Sequence, residues 1–298
     1  MQIMLYIILI LCFFCFQSCG QDLKNDNQTK SQGIAKRPSE AVNDDQVINS
    51  AGNSILERIA PPKGFQRQSL AEESFGHYLR NLPLKPHGSK VLYYHGGEKA
   101  NPDIYTAVVD LKIGNRNLHQ CADAVMRLRA AYLWEQKRYN EIHFNFTNGF
   151  RVDYTEWMKG KRIVVKGNES FWRDAGRASN TYRDFWDYLE VIFSYAGTLS
   201  LSKELKPVKI DDLRVGDVFI QGGSPGHAVI VVDMAIDAQT NDKVFLLAQS
   251  YMPAQDIQVL TNPGNDKLSP WYSLEFGDKL ITPEWTFHQT DLKRFEIP

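Results

Sequence analysis

Three β-type runs follow one another closely in the last third of the chain, and they constrain its fold more than any other feature. They are "GDVFIQGG" (216–223), "HAVIVVDMA" (227–235) and "KVFLLAQSY" (243–251). Each is rich in β-branched, aliphatic and aromatic residues and is closed by Gly, Asp or Asn. The turns between them are short, and short turns join antiparallel neighbours. The three runs therefore predict an antiparallel meander.

Helical patterns lie mostly upstream. In "LHQCADAVMRLRAAYLWEQKRY" (118–139), Val125, Leu128, Tyr132 and Leu133 recur at helical spacing. In "NTYRDFWDYLEVIFSYAG" (180–197), Phe185, Trp186, Leu189 and Phe193 make an apolar face, with Asn180 as a candidate cap. "SLAEESFGHYLRNLPL" (69–84) opens with Ser69 and Glu72 in a capping-box arrangement. Strands are expected at "SKVLYYHGG" (89–97) and "DIYTAVVDLKIGN" (103–115), and a hairpin at Asn148-Gly149. Helices first and strands later read as α+β.

The N-terminus belongs to another regime. From Ile3 to Phe16 the chain is apolar apart from Cys12 and Cys15, a length too short to span a bilayer, which takes roughly 20 residues. It fits the apolar part of a secretory signal, although no Lys or Arg precedes residue 24. The stretch resembles a bacterial lipoprotein signal, with Ser18 before Cys19. That resemblance implies a signal peptide over 1–18, lipidation at Cys19 and attachment to a membrane of the cell envelope. An uncleaved anchor is the competing reading. Residues 19–54 have few aliphatics and no aromatics, and read as a flexible tether. Residues 55–298 remain, enough for one α+β domain.

Charge and cysteine usage narrow the function. A net charge of −1, with no basic cluster on any element, argues against a nucleic-acid partner. Cys121 is the one cysteine of the domain, so no internal disulfide is expected. His77, His87, His95, His143 and His288 are scattered, with no pair at metal-ligand spacing, and neither metal nor cofactor is expected.

Two motifs compete for the chemistry. Gly222-x-Ser224-x-Gly226 has the spacing of a serine nucleophile elbow, but "HAVIVVD" after it is a strand, where the elbow requires a helix. Ser224 is read as a turn residue. Cys121 stands at the first turn of a helix, where free N–H groups and the dipole favour a thiolate. It is either a nucleophile or a small buried apolar residue. His227 leads the next strand. If 227–234 pairs with 244–251 as an ordinary hairpin, Gln249 is level with Val229 and is a same-face diagonal neighbour of His227. An amide there would orient the imidazole toward the thiol. Asp233, six residues from His227, would lie about 20 Å away at about 3.3 Å per residue, and is read as a strand-end or turn residue. Gln120 is a candidate oxyanion donor, with capping as its alternative. His119 could influence Cys121 or be an ordinary loop histidine. Among the aromatics, mostly core, one or two near "SYMPAQ" and "SPWYSLEF" would line a sugar or peptide cleft.

A helix-start Cys, then "GDVFIQ…GHAVIVVD", then a strand ending in a polar residue resembles the papain-like cell-wall peptidases of the NlpC type. The resemblance implies Cys121 as nucleophile, His227 as base and Gln249 as the orienting residue, acting as a thiol hydrolase or amidase on peptide or peptidoglycan stems. It also implies a papain-like core, with an inserted helical and hairpin lobe filling the long gap between Cys121 and Gly216. The sequence departs from that pattern around the cysteine, which is flanked by Gln120, Ala122 and Asp123. Over 55–298, "RIAPPKGFQR", "YLRNLPLKP", "QCADAVMRLRA", "GDVFIQGGSPGHAVIVVDM" and "LAQSYMPAQ" resemble the envelope proteins grouped as domain of unknown function 4846, a resemblance that carries no activity. A non-catalytic muropeptide- or glycan-binding module on the same fold is the alternative function.

Overall fold

The computed structural model describes residues 47–296. The expected signal over 1–18, the lipidation site Cys19 and most of the tether lie outside the described residues. The last stretch of the expected tether, 47–54, is part of the fold. Ile48 bridges Ile59, Ser54 bridges Pro83, and the buried Arg58 guanidinium donates to the carbonyls of Gly52 and Lys85. This segment is ordered by backbone hydrogen bonds around one arginine rather than by apolar burial alone, so composition does not reveal it.

Among the described residues the main sheet has nine strands. Its path runs Tyr105–Val108, Gln258–Leu260, Lys243–Gln249, His227–Asp237, Val218–Gln221, Leu292–Arg294, Lys206–Pro207. Phe65–Arg67 pairs with the far end of the His227 strand, and Tyr272–Ser273 with the start of the Lys243 strand. The pairings within it are antiparallel, and the fold is mixed α+β. The three expected runs are adjacent in the order expected of a meander.

Both faces of this sheet are covered. On one lie the helices Cys121–Glu135, Tyr182–Tyr195 and Thr198–Glu204, packed with Ala228, Ile230 and Val232. On the other, Phe219, Val229, Val231, Phe245, Leu247 and, from the strand beside Phe219, Leu292 pack under Leu280 and Phe287. Burial on both faces explains why "HAVIVV" is a continuous apolar run, a pattern more usual for parallel sheets. The Cys121 helix is nearly as enclosed, with twelve of its fifteen residues buried. The Tyr182–Tyr195 helix is amphipathic, burying Phe185, Tyr188, Leu189, Ile192 and Phe193. The Asn148-Gly149 hairpin joins His143–Asn145 to Arg151–Asp153, with Gly149 at φ 89°.

Four local expectations change. The helix expected from Ser69 spans Phe75–Arg80 and is capped by Ser74, whose Oγ accepts from the His77 N–H at 3.1 Å. Thr181 caps the later helix in place of Asn180, whose side chain instead accepts from Tyr154 and Trp134. Residues 89–97 form bridges and a turn, because the Asp256 carboxylate takes the Leu92 N–H that a strand partner would otherwise take. Asp233 is neither at a strand end nor in a turn. A bulge carries the register from Leu247 opposite Val231 to Leu246 opposite Asp233, with Val232 as the extra residue. Asp233 sits there at 0% exposure, accepting from Arg67 at 2.7 Å and Arg80 at 2.6 Å. No helix of the described residues is long and apolar enough to cross a membrane.

Candidate active site

The loop before the long helix stops at Gln120, whose backbone is extended, and Cys121 is the first helical residue. The Gln120 N–H donates to Asp123 Oδ2 at 2.9 Å, half of a capping box. This fixes the entry to the helix and turns Cys121 toward the end of the sheet. A cleft of about 400 Å³ opens there, lined among others by Asn117, Gln120, Cys121, Thr198, Ser224 and Met252. Cys121 is 8% exposed, so its sulfur borders the cleft without standing free in it.

The environment favours the thiol over the thiolate. Burial, followed by the neighbouring Asp123 carboxylate, pushes the Cys121 pKa up to about 11. The N–H groups of Ala122, Ala228 and Cys121 itself act in the opposite direction and are outweighed. Asp123 is itself strained: burial raises its pKa to about 8, and its Oδ1 is buried without a partner among the described residues.

The Ala228 N–H locates the sulfur. It belongs to the residue after His227, so the start of the helix and the start of the strand meet at one end of the sheet. The turn that delivers His227 is tight. A Cβ on Gly226 would lie 2.4 Å from Thr198 Oγ1 and 2.7 Å from the Gly223 carbonyl, so only glycine passes here. Ser224 is in this turn, followed by the strand, as the reading against a serine elbow requires.

His227 is 1% exposed and packed against Tyr251, Trp285 and Phe287, at centroid separations of 4.8, 5.4 and 5.9 Å. Its Nε2 lies 2.8 Å from Gln249 Oε1. The local register, with Ala248 opposite Ile230, is the one expected for an ordinary hairpin and places Gln249 at the level of Val229. Nδ1 has no hydrogen-bond partner among the described residues and is not among the nitrogens sealed from solvent. Burial, with a smaller contribution from Lys99 and against the opposing effect of Gln249, lowers the imidazole pKa to about 4. The ring is neutral at physiological pH.

Cys121 is brought to the same end of the sheet as the His227–Gln249 pair, but no hydrogen bond joins sulfur to ring among the described residues. Strand alternation accounts for this. His227 projects with Val229 and Val231 to the face of Phe287, whereas Ala228 packs on the helix face. Gln120 borders the cleft and its Nε2 donates to Asn117 Oδ1 at 3.3 Å. His119 is in the loop, fully buried and edge-on to Phe193; burial and Arg127 lower its pKa to about 3. Trp271 and Tyr272 are buried and do not border this cleft.

A second layer was not legible in the sequence. Gln249 Nε2 donates to Glu284 Oε2 at 2.6 Å, and Lys99 Nζ donates to both Glu284 oxygens at 2.8 Å and to Gln255 Oε1 at 3.0 Å. The available hint was the density of amides in "AQSYMPAQDIQ": buried amides need partners. Nothing in the spacing ties residue 99 to residue 284. Among the described residues no group of three or more His, Cys, Asp or Glu side chains is arranged to hold a metal.

The family model described as domain of unknown function (4846) matches residues 55–294. The chain belongs to that family. No curated protein and no solved structure matches it. The 4846 domain thus contains the whole arrangement, from Lys99 and Cys121 to Glu284.

Proposed function

We propose that this 4846-family chain is a thiol hydrolase or amidase of papain-like, NlpC-type design, held at a membrane of the cell envelope through Cys19 and acting on peptide or peptidoglycan stems. The observation that carries the reading is the 2.8 Å pairing of His227 Nε2 with an amide oxygen. It leaves Nδ1 open at the end of the sheet where the Cys121 helix begins. In the proposed reaction Nδ1 accepts the thiol proton as Sγ attacks the substrate carbonyl, forming a thioester as the amine leaves with a proton returned by the ring. Water then cleaves the thioester and restores the thiol. The transfer needs sulfur and ring within about 3.2 Å or bridged by one water, a distance that commonly tightens only when substrate is bound. Gln120 Nε2 and the Cys121 N–H are the candidate donors to the oxyanion.

One observation favours a second reading, a cleft that binds muropeptide or glycan without cutting it. A thiol held up to about 11 beside an imidazole held down to about 4 is a pair at rest in its uncharged form. The test is incubation of the full chain and its Cys121→Ala variant with peptidoglycan fragments, products being read by mass spectrometry. The hydrolase reading expects cleavage by the wild type and loss of at least about 10³-fold in the variant. Cleavage that survives the substitution refutes it, and binding without cleavage establishes the second reading.

A further inference from the structure

The orientation of an amide is set by what its two ends can accept or donate, and at Gln249 both ends are committed. Oε1 and Nε2 cannot be told apart by shape, so their assignment must come from the neighbours. Glu284 is one neighbour, and Lys99 donates to both of its oxygens at 2.8 Å, which makes the carboxylate an acceptor. The end of Gln249 that lies 2.6 Å from Glu284 must therefore be the NH2 end. The other end, 2.8 Å from His227 Nε2, is then an oxygen and can only accept. A neutral imidazole carries one N–H, so the proton must be on Nε2 and the lone pair on Nδ1.

The far end of the chain is fixed in the same way. Lys99 also donates to Gln255 Oε1, while Gln255 Nε2 donates to the Pro253 carbonyl at 3.3 Å. Lys99 is 6% exposed and Glu284 22% exposed in their side chains, so water competes little with these bonds. Each link has one permitted direction: the ammonium and the Gln249 amide both donate to the carboxylate, and the imidazole donates to the amide oxygen.

We infer that Glu284, held by Lys99, is a positioning residue that locks His227 as its Nε2–H tautomer through the Gln249 amide and so keeps the Nδ1 lone pair available at the candidate site. The inference deepens the hydrolase reading and rests on it for its purpose, but the lock itself is a property of the resting protein.

The test is 15N NMR of the full chain labelled at histidine, where the two neutral tautomers have different ring-nitrogen shifts and coupling patterns. His227, one of seven histidines, is assigned by the signal lost in His227→Gln. Wild type should show a single Nε2–H tautomer. In Glu284→Gln the new amide can donate or accept, Gln249 is free to reverse, and the single tautomer should give way to a mixture. Glu284→Asp, which keeps the acceptor, should restore the wild-type pattern in whole or in part. Gln249→Met, which deletes the amide, should also release the mixture and serves if the Glu284→Gln variant does not fold, as judged from the other histidine signals. A folded Glu284→Gln or Gln249→Met protein that keeps the pure Nε2–H tautomer overturns the inference. A protein with the lock intact that hydrolyses nothing overturns only the hydrolase reading.

Discussion

Alkylation of Cys121 is the measurement on which the chemistry of the cleft turns. A thiol pushed up to about 11 holds on the order of one molecule in ten thousand as thiolate at pH 7, whereas an ordinary thiol near 8.5 holds roughly 3%. The thiolate deficit is therefore about 300-fold. The more basic thiolate is intrinsically more nucleophilic, and a Brønsted slope of about 0.45 returns roughly a factor of ten. The net expectation is alkylation by iodoacetamide about 20- to 30-fold slower than an exposed cysteine, before any loss through restricted access. The rate is followed on the Cys121 peptide after digestion, so that Cys12, Cys15 and Cys19 do not interfere.

Asp123→Asn tests the stated cause. Because burial holds Asp123 up to about 8, its carboxyl is mostly neutral at pH 6.5 and mostly ionised at pH 9. Removing the charge lowers the thiol pKa where the carboxylate exists, so the variant should alkylate faster at pH 9 and nearly unchanged at pH 6.5. Equal acceleration at both pH values, or a wild type as fast as an exposed thiol at pH 7, refutes the electrostatic account. A muropeptide added to the wild type separates the two functional readings. Faster alkylation of the thiol by a small reagent, or trapping as a thioester, belongs to a hydrolase, and simple protection to a binding cleft.

Other consequences are open to measurement. Asp233→Ala leaves Arg67 and Arg80 without their fully buried partner and should cost about 3–5 kcal/mol in urea unfolding; a loss under about 1 kcal/mol would show those ion pairs to be unimportant. Gly226→Ala forces a Cβ against Thr198 and the Gly223 carbonyl, and should lower stability by about 1–3 kcal/mol while moving the His227 NMR signals; an unshifted His227 would disconnect the turn from the site. For the pH dependence, Asp123 has a folded pKa (about 8) above its unfolded value (3.8), so its stabilising contribution is complete below 3.8 and lost as pH rises through about 8. The stability of wild type relative to Asp123→Asn should fall accordingly between pH 4 and 8, and a difference that is flat with pH would contradict the raised pKa.

The parts of the fold legible in the sequence are those where one local rule operates unopposed. Short turns between the three runs force antiparallel pairing, and the Asn148-Gly149 hairpin has the turn its residues favour. The errors arise where a side chain from elsewhere takes over a backbone group or a charge. Asp256 takes the Leu92 N–H, and Arg58 ties 47–54 to the domain. Arg67 and Arg80 draw Asp233 into a bulge that spacing alone does not reveal. Except for Arg58 and Gly52, six residues apart, these partners are more than 150 residues from one another, and no periodicity encodes them.

The same distinction runs through the candidate site. His227 and Gln249 were readable because both lie on one hairpin, between its bulge and its open end, so that simple alternation still holds there. Without the bulge Gln249 would stand opposite Ile230, on the other face, and the pair would be broken. Cys121, brought in by a helix on the opposite face, obeys no such register. Its position depends on how the helix packs against Ala228 and Ile230, and alternation along the strand sends the His227 ring away from that packing. The amide pair is therefore fixed by the sheet, whereas sulfur and ring must meet around its end. That missing contact, and not the His227–Gln249 geometry, is what the hydrolase reading requires a bound substrate to supply, so a structure with a peptide in the cleft and still no sulfur–ring contact would leave the binding reading.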